Sequence, residues 1–228
     1  MTRWSAADLA ILELSLKVAT VGTIASVPFA IAAALLLARG RFWGRSLLDA
    51  LVHLPLVLPP VVTGYLLLLT FGRRGGIGYW LDRFFGFTFA FRWTGAALAA
   101  AVMGFPLMVR AIRLAVEGVD RHLEEAAATL GASPWWTLAT ITLPLALPGV
   151  LSGMVVAFAK SLGEFGATIT FVSNIPGETQ TVALAIYSLI QTPGGDAHAL
   201  RLVALSLAVS FAALLVSDWL ARRIQRRR

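Results

Sequence analysis

The chain contains no cysteine and only three histidines. Disulfides, thiolate metal sites and a cysteine nucleophile are therefore excluded, and no second histidine stands at metal-ligand spacing from His53. Charge is also scarce. Asp, Glu, Lys and Arg make up 14% of the 228 residues, where a soluble domain carries about 25%. Hydrophobic residues reach 58% and mean hydropathy is +0.79, which points to an all-α, polytopic membrane protein. What charge there is leans positive, with a net charge of +7. The arginines sit at the ends of apolar runs and in the tail 221–228. That is the pattern of topology signals rather than of a nucleic-acid-binding face. Arg3 precedes a first apolar run too long for a signal peptide, with no small-residue cleavage site, so no cleavable leader is expected. With no internal repeat, low-complexity segment or composition break, one domain is expected over 1–228, with its core about 11–220.

Five runs approach the roughly 20 residues that a crossing takes: 18–38, 47–71, 93–109, 147–172 and 202–220. Pro28 is expected to kink the first, and Glu13 and Lys17 to snorkel at its edge. The second holds Pro55, Pro59 and Pro60. Their freed backbone groups must find partners inside the protein, so this span is expected to face its interior or a water-lined path. Between 72 and 92 the chain is rich in glycine and arginine, and Tyr79, Trp80, Phe84 and Phe85 suit an interfacial helix. The stretch 182–190 is too short to cross and reads as a re-entrant or surface helix, with a sixth span as the alternative. Five spans put the amino terminus outside and the carboxyl terminus in the cytoplasm. Arg39, Arg41, Arg45, Arg110, Arg113, Arg121 and the tail arginines then lie inside. Arg73, Arg74, Arg83 and Arg92 stay outside, against the positive-inside rule.

Two features stand out from this frame. The loop 118–145 reads as two short helices joined by a sharp turn. In the first, 122–130, Leu123, Ala126, Ala127 and Leu130 recur on one face. Gly131 stands where a left-handed residue is wanted, Ser133-Pro134 is an N-cap followed by a first-turn proline, and Pro144 marks the end of the second helix. By itself such a loop is as readily a plain connection as a docking element. The second feature is Lys160 and Glu164 within the fourth run. Charges at membrane depth default to functional roles, but four residues apart they also pair along one helix face. Simple pairing implies that exchanging the two charges is tolerated better than losing either.

The spacing E-A-A, three residues, G, nine residues, I-x-L-P falls on Glu125, Ala126, Ala127, Gly131, Ile141, Leu143 and Pro144. It resembles the signature loop of ABC importer permeases. HLPLVLPPVVTGY (53–65), SLGEFGAT (161–168), 171–179 and 191–195 are similar to the molybdate ABC transporter permeases of bacteria. The GEFGA element is shared more broadly with sulfate permeases. The resemblance implies a type I ABC importer permease fold in the bacterial inner membrane and a cytoplasmic coupling helix that docks into an ATPase groove. It further implies a permease homodimer, two cytoplasmic ABC ATPase subunits and a periplasmic molybdate-binding protein. No cofactor is expected in this subunit, since ATP and Mg bind the ATPase, and no nucleic acid is expected as a partner.

A path for a dianion must bind it weakly. Thr63, Lys160, Ser161, Glu164, Thr168 and Thr170 are the candidate pathway or gating residues, although a hydroxyl in a span commonly bonds its own backbone. The alternatives are a tungstate or sulfate/thiosulfate permease, and a passive channel or structural subunit, which would need no coupling helix. A membrane enzyme built on Lys160 and Ser161 fails on geometry, because adjacent helical residues point about 100° apart.

Overall fold

The computed structural model describes residues 5–225, and all regular structure among them is helical. In chain order the helices are α1 (Ala6–Arg39), α2 (Arg45–Val57), α3 (Pro60–Phe71), α4 (Gly76–Phe85), α5 (Trp93–Glu117) and α6 (Arg121–Thr129). They continue as α7 (Pro134–Thr137), a π-helical turn (Leu138–Thr142), α8 (Leu143–Leu162), α9 (Gly166–Val172), α10 (Val182–Ile190) and α11 (Asp196–Gln225). The last three residues and the side chains of the tail arginines lie outside the described residues.

α5 is the axis of the bundle, with α1 and α8 against it. α1 runs parallel to α5, with Gly22 beside Ala97 and Arg39 beside Val116. α8 runs antiparallel in four-residue steps: Gly149 meets Ala115, Gly153 meets Met108, Ala157 meets Gly104, and Ser161 reaches the Ala100 carbonyl. The four α8 residues in this row are all small, so the two backbones approach closely, as membrane helices do when packing rather than water drives them together. Two apolar clusters result. Ala34, Leu37, Met108, Ile112 and Val150 fill one end of the bundle, and Val18, Leu67, Ala96, Met103 and Phe171 fill the other.

α1 starts at Ala6, well before its apolar run. Ser5 and Asp8 form a reciprocal capping box, each backbone N–H donating to the other's side chain at 3.1 Å. Asp8 is fully buried and bonds His198 near the start of α11. Lys17 does more than snorkel, since its ammonium stands 3.9 Å from the centre of the Trp93 ring.

Three expected boundaries are corrected. The run 47–71 is a pair of helices, α2 and α3, meeting at 114°. Pro59 and Pro60 offer no N–H where the helix would continue, and Pro60 instead opens α3 at its first turn. The run 147–172 is likewise broken: α8 ends at Leu162 and α9 begins at Gly166. Pro144 ends nothing, because one helix of 29 residues runs from Pro134 to Leu162. The π turn, in which the Leu143 N–H reaches back to the Leu138 carbonyl, widens the coil just where the proline ring would crowd a regular turn.

Four helices are long and apolar enough to cross a membrane among the described residues, or five if the bent pair counts as one span. α10, with 9 residues, reaches only about 14 Å, so it adds no sixth full crossing. It lies in the bundle, its Leu184 fully buried and its first N–H donated to Ser15 Oγ at 2.7 Å. α4, the expected interfacial helix, exposes Tyr79, Trp80, Phe84 and Phe85.

The close approach of α5 and α8 is directly testable. A Cβ on Gly149 would stand 2.1 Å from Ala115 Cβ, whereas one on Gly163 would meet nothing nearer than 3.9 Å. Gly149→Ala should therefore cost about 1–3 kcal/mol through overpacking, and Gly163→Ala much less. Thermal unfolding of the two variants in detergent checks the difference.

Candidate functional site

The loop between α5 and α8 forms an open, largely apolar concavity on the surface. Asp120 caps α6 by accepting from the His122 N–H at 2.9 Å. The helix closes as a Schellman turn: Ala132 N–H bonds the Ala127 carbonyl and Gly131 N–H the Ala128 carbonyl, both at 3.0 Å. Gly131 adopts φ 84°, the left-handed conformation that this turn needs. Ser133 then caps α7, accepting from the Trp136 N–H at 3.3 Å. α6 and α7 thus meet at a fixed angle.

Between them opens a groove of about 720 Å³ lined by Leu123, Ala126, Ala127, Leu130, Trp136 and Ile141. The four apolar positions read as one face of the first helix all line it. Leu130 is 89% exposed and Trp136 56%, a state that water alone disfavours. Of the seven motif residues, Ala126, Ala127, Gly131 and Ile141 line the groove, while Leu143 and Pro144 open α8. Glu125 points outward, 3.5 Å from His122 with both side chains mostly exposed. Such a pair contributes little by itself.

Glu124 faces the other way, a contact not anticipated from the sequence. Its Oε1 accepts from Thr142 Oγ1 at 2.7 Å and from Arg39 Nη2 at 3.2 Å. The same Arg39 nitrogen donates to the Val116 and Val119 carbonyls at 3.1 Å each. Arg39 is therefore a structural junction as well as a topology signal. The available clue was that two adjacent carboxylates on one short helix cannot share a direction, so one of them must look back toward the ends of the spans.

Lys160 and Glu164 do pair, at 3.1 Å, but not along one helix face. Glu164 lies in the break after α8. Its side chain is almost fully buried, and its second oxygen accepts from the Ala167 N–H at 3.0 Å, capping α9. Ser161 donates to its own-helix Ala157 carbonyl at 2.8 Å, and Thr170 to the Gly166 carbonyl at 2.9 Å. Thr168 is buried against the second apolar cluster. Thr63 differs from Ser161 and Thr170, because its buried Oγ1 has no hydrogen-bond partner.

A further charged cleft of about 280 Å³ lies between α2 and α5. There Arg113 bonds Glu117 at 2.8 Å and Asp49 at 3.2 Å, and Asp49 also approaches His53. Its charges are balanced, and they tie α2 to α5.

Residues 26–228 match the family model described as binding-protein-dependent transport system inner membrane component. The chain belongs to that family. The molybdenum transport system permease ModB of Escherichia coli K12 is 64% identical over 209 residues, covering 92% of this chain and 91% of the relative. The ModB of Haemophilus influenzae is 56% identical, covering 96% of both chains. The sulfate transport system permease CysT of Escherichia coli is 35% identical, covering 93% of this chain and 77% of its own. Among solved structures, a bacterial ABC transporter involved in alginate import matches 97% of the chain with a TM-score of 0.76 at 18% identity. That last likeness concerns the fold. The type I importer permease architecture is therefore the architecture of this chain, and the expected all-α class and membrane placement hold.

Within this permease, Glu164 does two jobs, and an exchange of charges preserves only one. A lysine at 164 cannot accept from the Ala167 N–H. The double exchange Lys160→Glu with Glu164→Lys should therefore be as damaging as Glu164→Ala, about 3 kcal/mol for a buried charge pair broken on one side. Lys160→Met should cost at least as much, since it leaves the almost fully buried Glu164 carboxylate without its cation. Denaturant or thermal unfolding of the purified permease ranks the three.

Proposed function

We propose that this permease is the membrane subunit of an ATP-driven molybdate importer of the bacterial inner membrane, working by alternating access. The observation that carries the proposal is the exposed apolar groove of α6 and α7, seated on a motif with all seven fixed positions filled. A channel or structural subunit has no use for such a surface. Similarity to molybdenum transport permeases over more than nine-tenths of the chain supports the cargo.

In this reading two copies of the chain form the path. A periplasmic molybdate-binding protein delivers the anion, and two cytoplasmic ABC ATPases supply ATP and Mg chemistry that this subunit lacks. A solved relative of the same fold is described in complex with a substrate-bound periplasmic protein, which supports that part of the assembly. The amino terminus lies outside, and the carboxyl terminus and α6 lie in the cytoplasm, where an ATPase meets Leu123, Leu130 and Trp136. ATP-driven closure of the ATPases moves α6, and the spans rock about α5.

The anion needs donors without deep wells. Lys160 is the cation nearest this role, because Glu164 holds it in place and neutralises its charge, leaving a weak rather than a strong attraction. Thr63, with an unengaged hydroxyl, is the better of the hydroxyl candidates, while Ser161 and Thr170 are committed to their own helices. Thr168 completes the set at α9.

Purified permease, ATPase and binding protein in vesicles test this reading. Uptake of molybdate should require ATP on the cytoplasmic side, and sulfate should compete less well than molybdate. Leu130→Glu should leave the thermal stability of the permease within about 0.5 kcal/mol, as for an exposed site, but release the ATPase from the complex. Uptake without ATP, or retention of the ATPase by that variant, would falsify the proposal.

A further inference from the structure

α6 touches the rest of the permease sparingly. Its one buried side chain is Ala127. Beneath it an open cleft of about 380 Å³, lined by Val119, Asp120, Leu123, Leu145 and Pro148, separates it from the start of α8. Its covalent connections pass through the glycine-bearing turns at Gly118 and Gly131. Beyond the turn that sets its angle to α7, so little packing fastens α6 to α1 and α5 that a push on it would be dissipated before reaching those helices.

One polar junction prevents that. Val116 lies in the last turn of α5 and Val119 two residues beyond its end, where helix carbonyls have room for a further donor. Arg39, the last residue of α1, donates to both from a single nitrogen, and a guanidinium at that end also suits the helix dipole. The same nitrogen donates to Glu124 of α6, and Glu124 takes the Thr142 hydroxyl at the π turn that leads into α8. The ends of α1, α5 and α8 therefore converge on one carboxylate of α6. Glu124 lines no part of the docking groove, so it serves this inner junction alone.

We propose that Arg39, Glu124 and Thr142 are positioning residues that convert displacement of the coupling helix into movement of α1, α5 and α8, so that their loss uncouples ATP hydrolysis from transport. The proposal rests on the ATP-driven reading above. In vesicles containing the whole complex, ATP hydrolysis and molybdate uptake are measured together for Glu124→Ala, Thr142→Val and the double variant. Uptake per ATP should fall about ten-fold for Glu124→Ala, within the usual range of coupling between sites. For Thr142→Val, which removes one hydroxyl from a nearly isosteric side chain, it should fall about three-fold. Hydrolysis should stay within about two-fold of the parent. The double variant should be no worse than Glu124→Ala, because both changes break one network.

A merely structural role would lower uptake and hydrolysis together, and that result overturns the proposal. So does an unchanged ratio in both single variants, or losses that multiply in the double. Should Glu124→Ala fail to assemble, Thr142→Val decides on its own ratio. If the parent complex shows no ATP-driven molybdate uptake, the functional reading fails instead, and the two failures are told apart by that first measurement.

Discussion

The close contact of α5 with α8 and α1 is the constraint from which the rest of the permease follows. In a lipid environment apolar side chains gain nothing by leaving their surroundings, so helices associate only where their surfaces fit. The row Gly149, Gly153, Ala157 and Ser161 supplies that fit on one side of α5, and Gly22 against Ala97 supplies it on the other. Because these contacts bring backbone to backbone, sliding one helix along another would drive Cβ atoms into carbonyls. The three helices are thereby fixed in register. The ion pairs Arg39–Glu124 and Lys160–Glu164 stand at the ends and breaks of this rigid core.

The breaks themselves follow from hydrogen-bond accounting. Pro59-Pro60 cannot continue α2, and α3 turns away at 114°. It can do so because α9 receives it. Gly64 lies against Ala167, and Gly166 against Pro60, too close for any added Cβ. The first turn of α9 is held by Glu164, which accepts from the Ala167 N–H and pairs with Lys160 in a buried place. One carboxylate thus connects the end of α8, the start of α9 and, through α9, the bent pair α2–α3. This is a reason for charge inside a span that needs no contact with cargo, and it is compatible with Lys160 also meeting an anion.

These points mark what was readable beforehand. Helical class, the apolar face of α6, the Gly131 turn and the Ser133 cap all depend on local chemistry and on periodicity, and each was legible. The break at Gly163 was not, because Lys160 and Glu164 at spacing four also fit a continuous helix and glycine inside a span is commonplace. Prolines announced a disturbance at 55–60 but not its angle, which α9 sets from more than a hundred residues away. Pro144 misled for a similar reason: a π turn absorbs it, and no residue type marks a π turn. The small-residue row on α8 recurs at spacing four, but single small residues are so common in spans that only the packed partner α5 gives the row meaning.

Glu124 and Glu125 show how the same side chain acquires opposite roles from a rotation of about 100°. Glu125 looks outward and is mostly exposed, with only a loose approach to His122, so its charge is available to whatever docks beside Leu130. Glu124 looks inward, less than a quarter exposed, with its oxygen already committed to Arg39 and Thr142. A docking helix has to do both things at once. It must present a surface that is incomplete without a partner, and it must be fastened to the part that moves. An apolar face with an outward charge meets the first requirement. An inward charge held at the junction of several helix ends meets the second, and it does so with bonds whose direction is fixed, which apolar contact over an open cleft cannot supply. In the proposed importer, the division between the two carboxylates is therefore the division between receiving a force and passing it on.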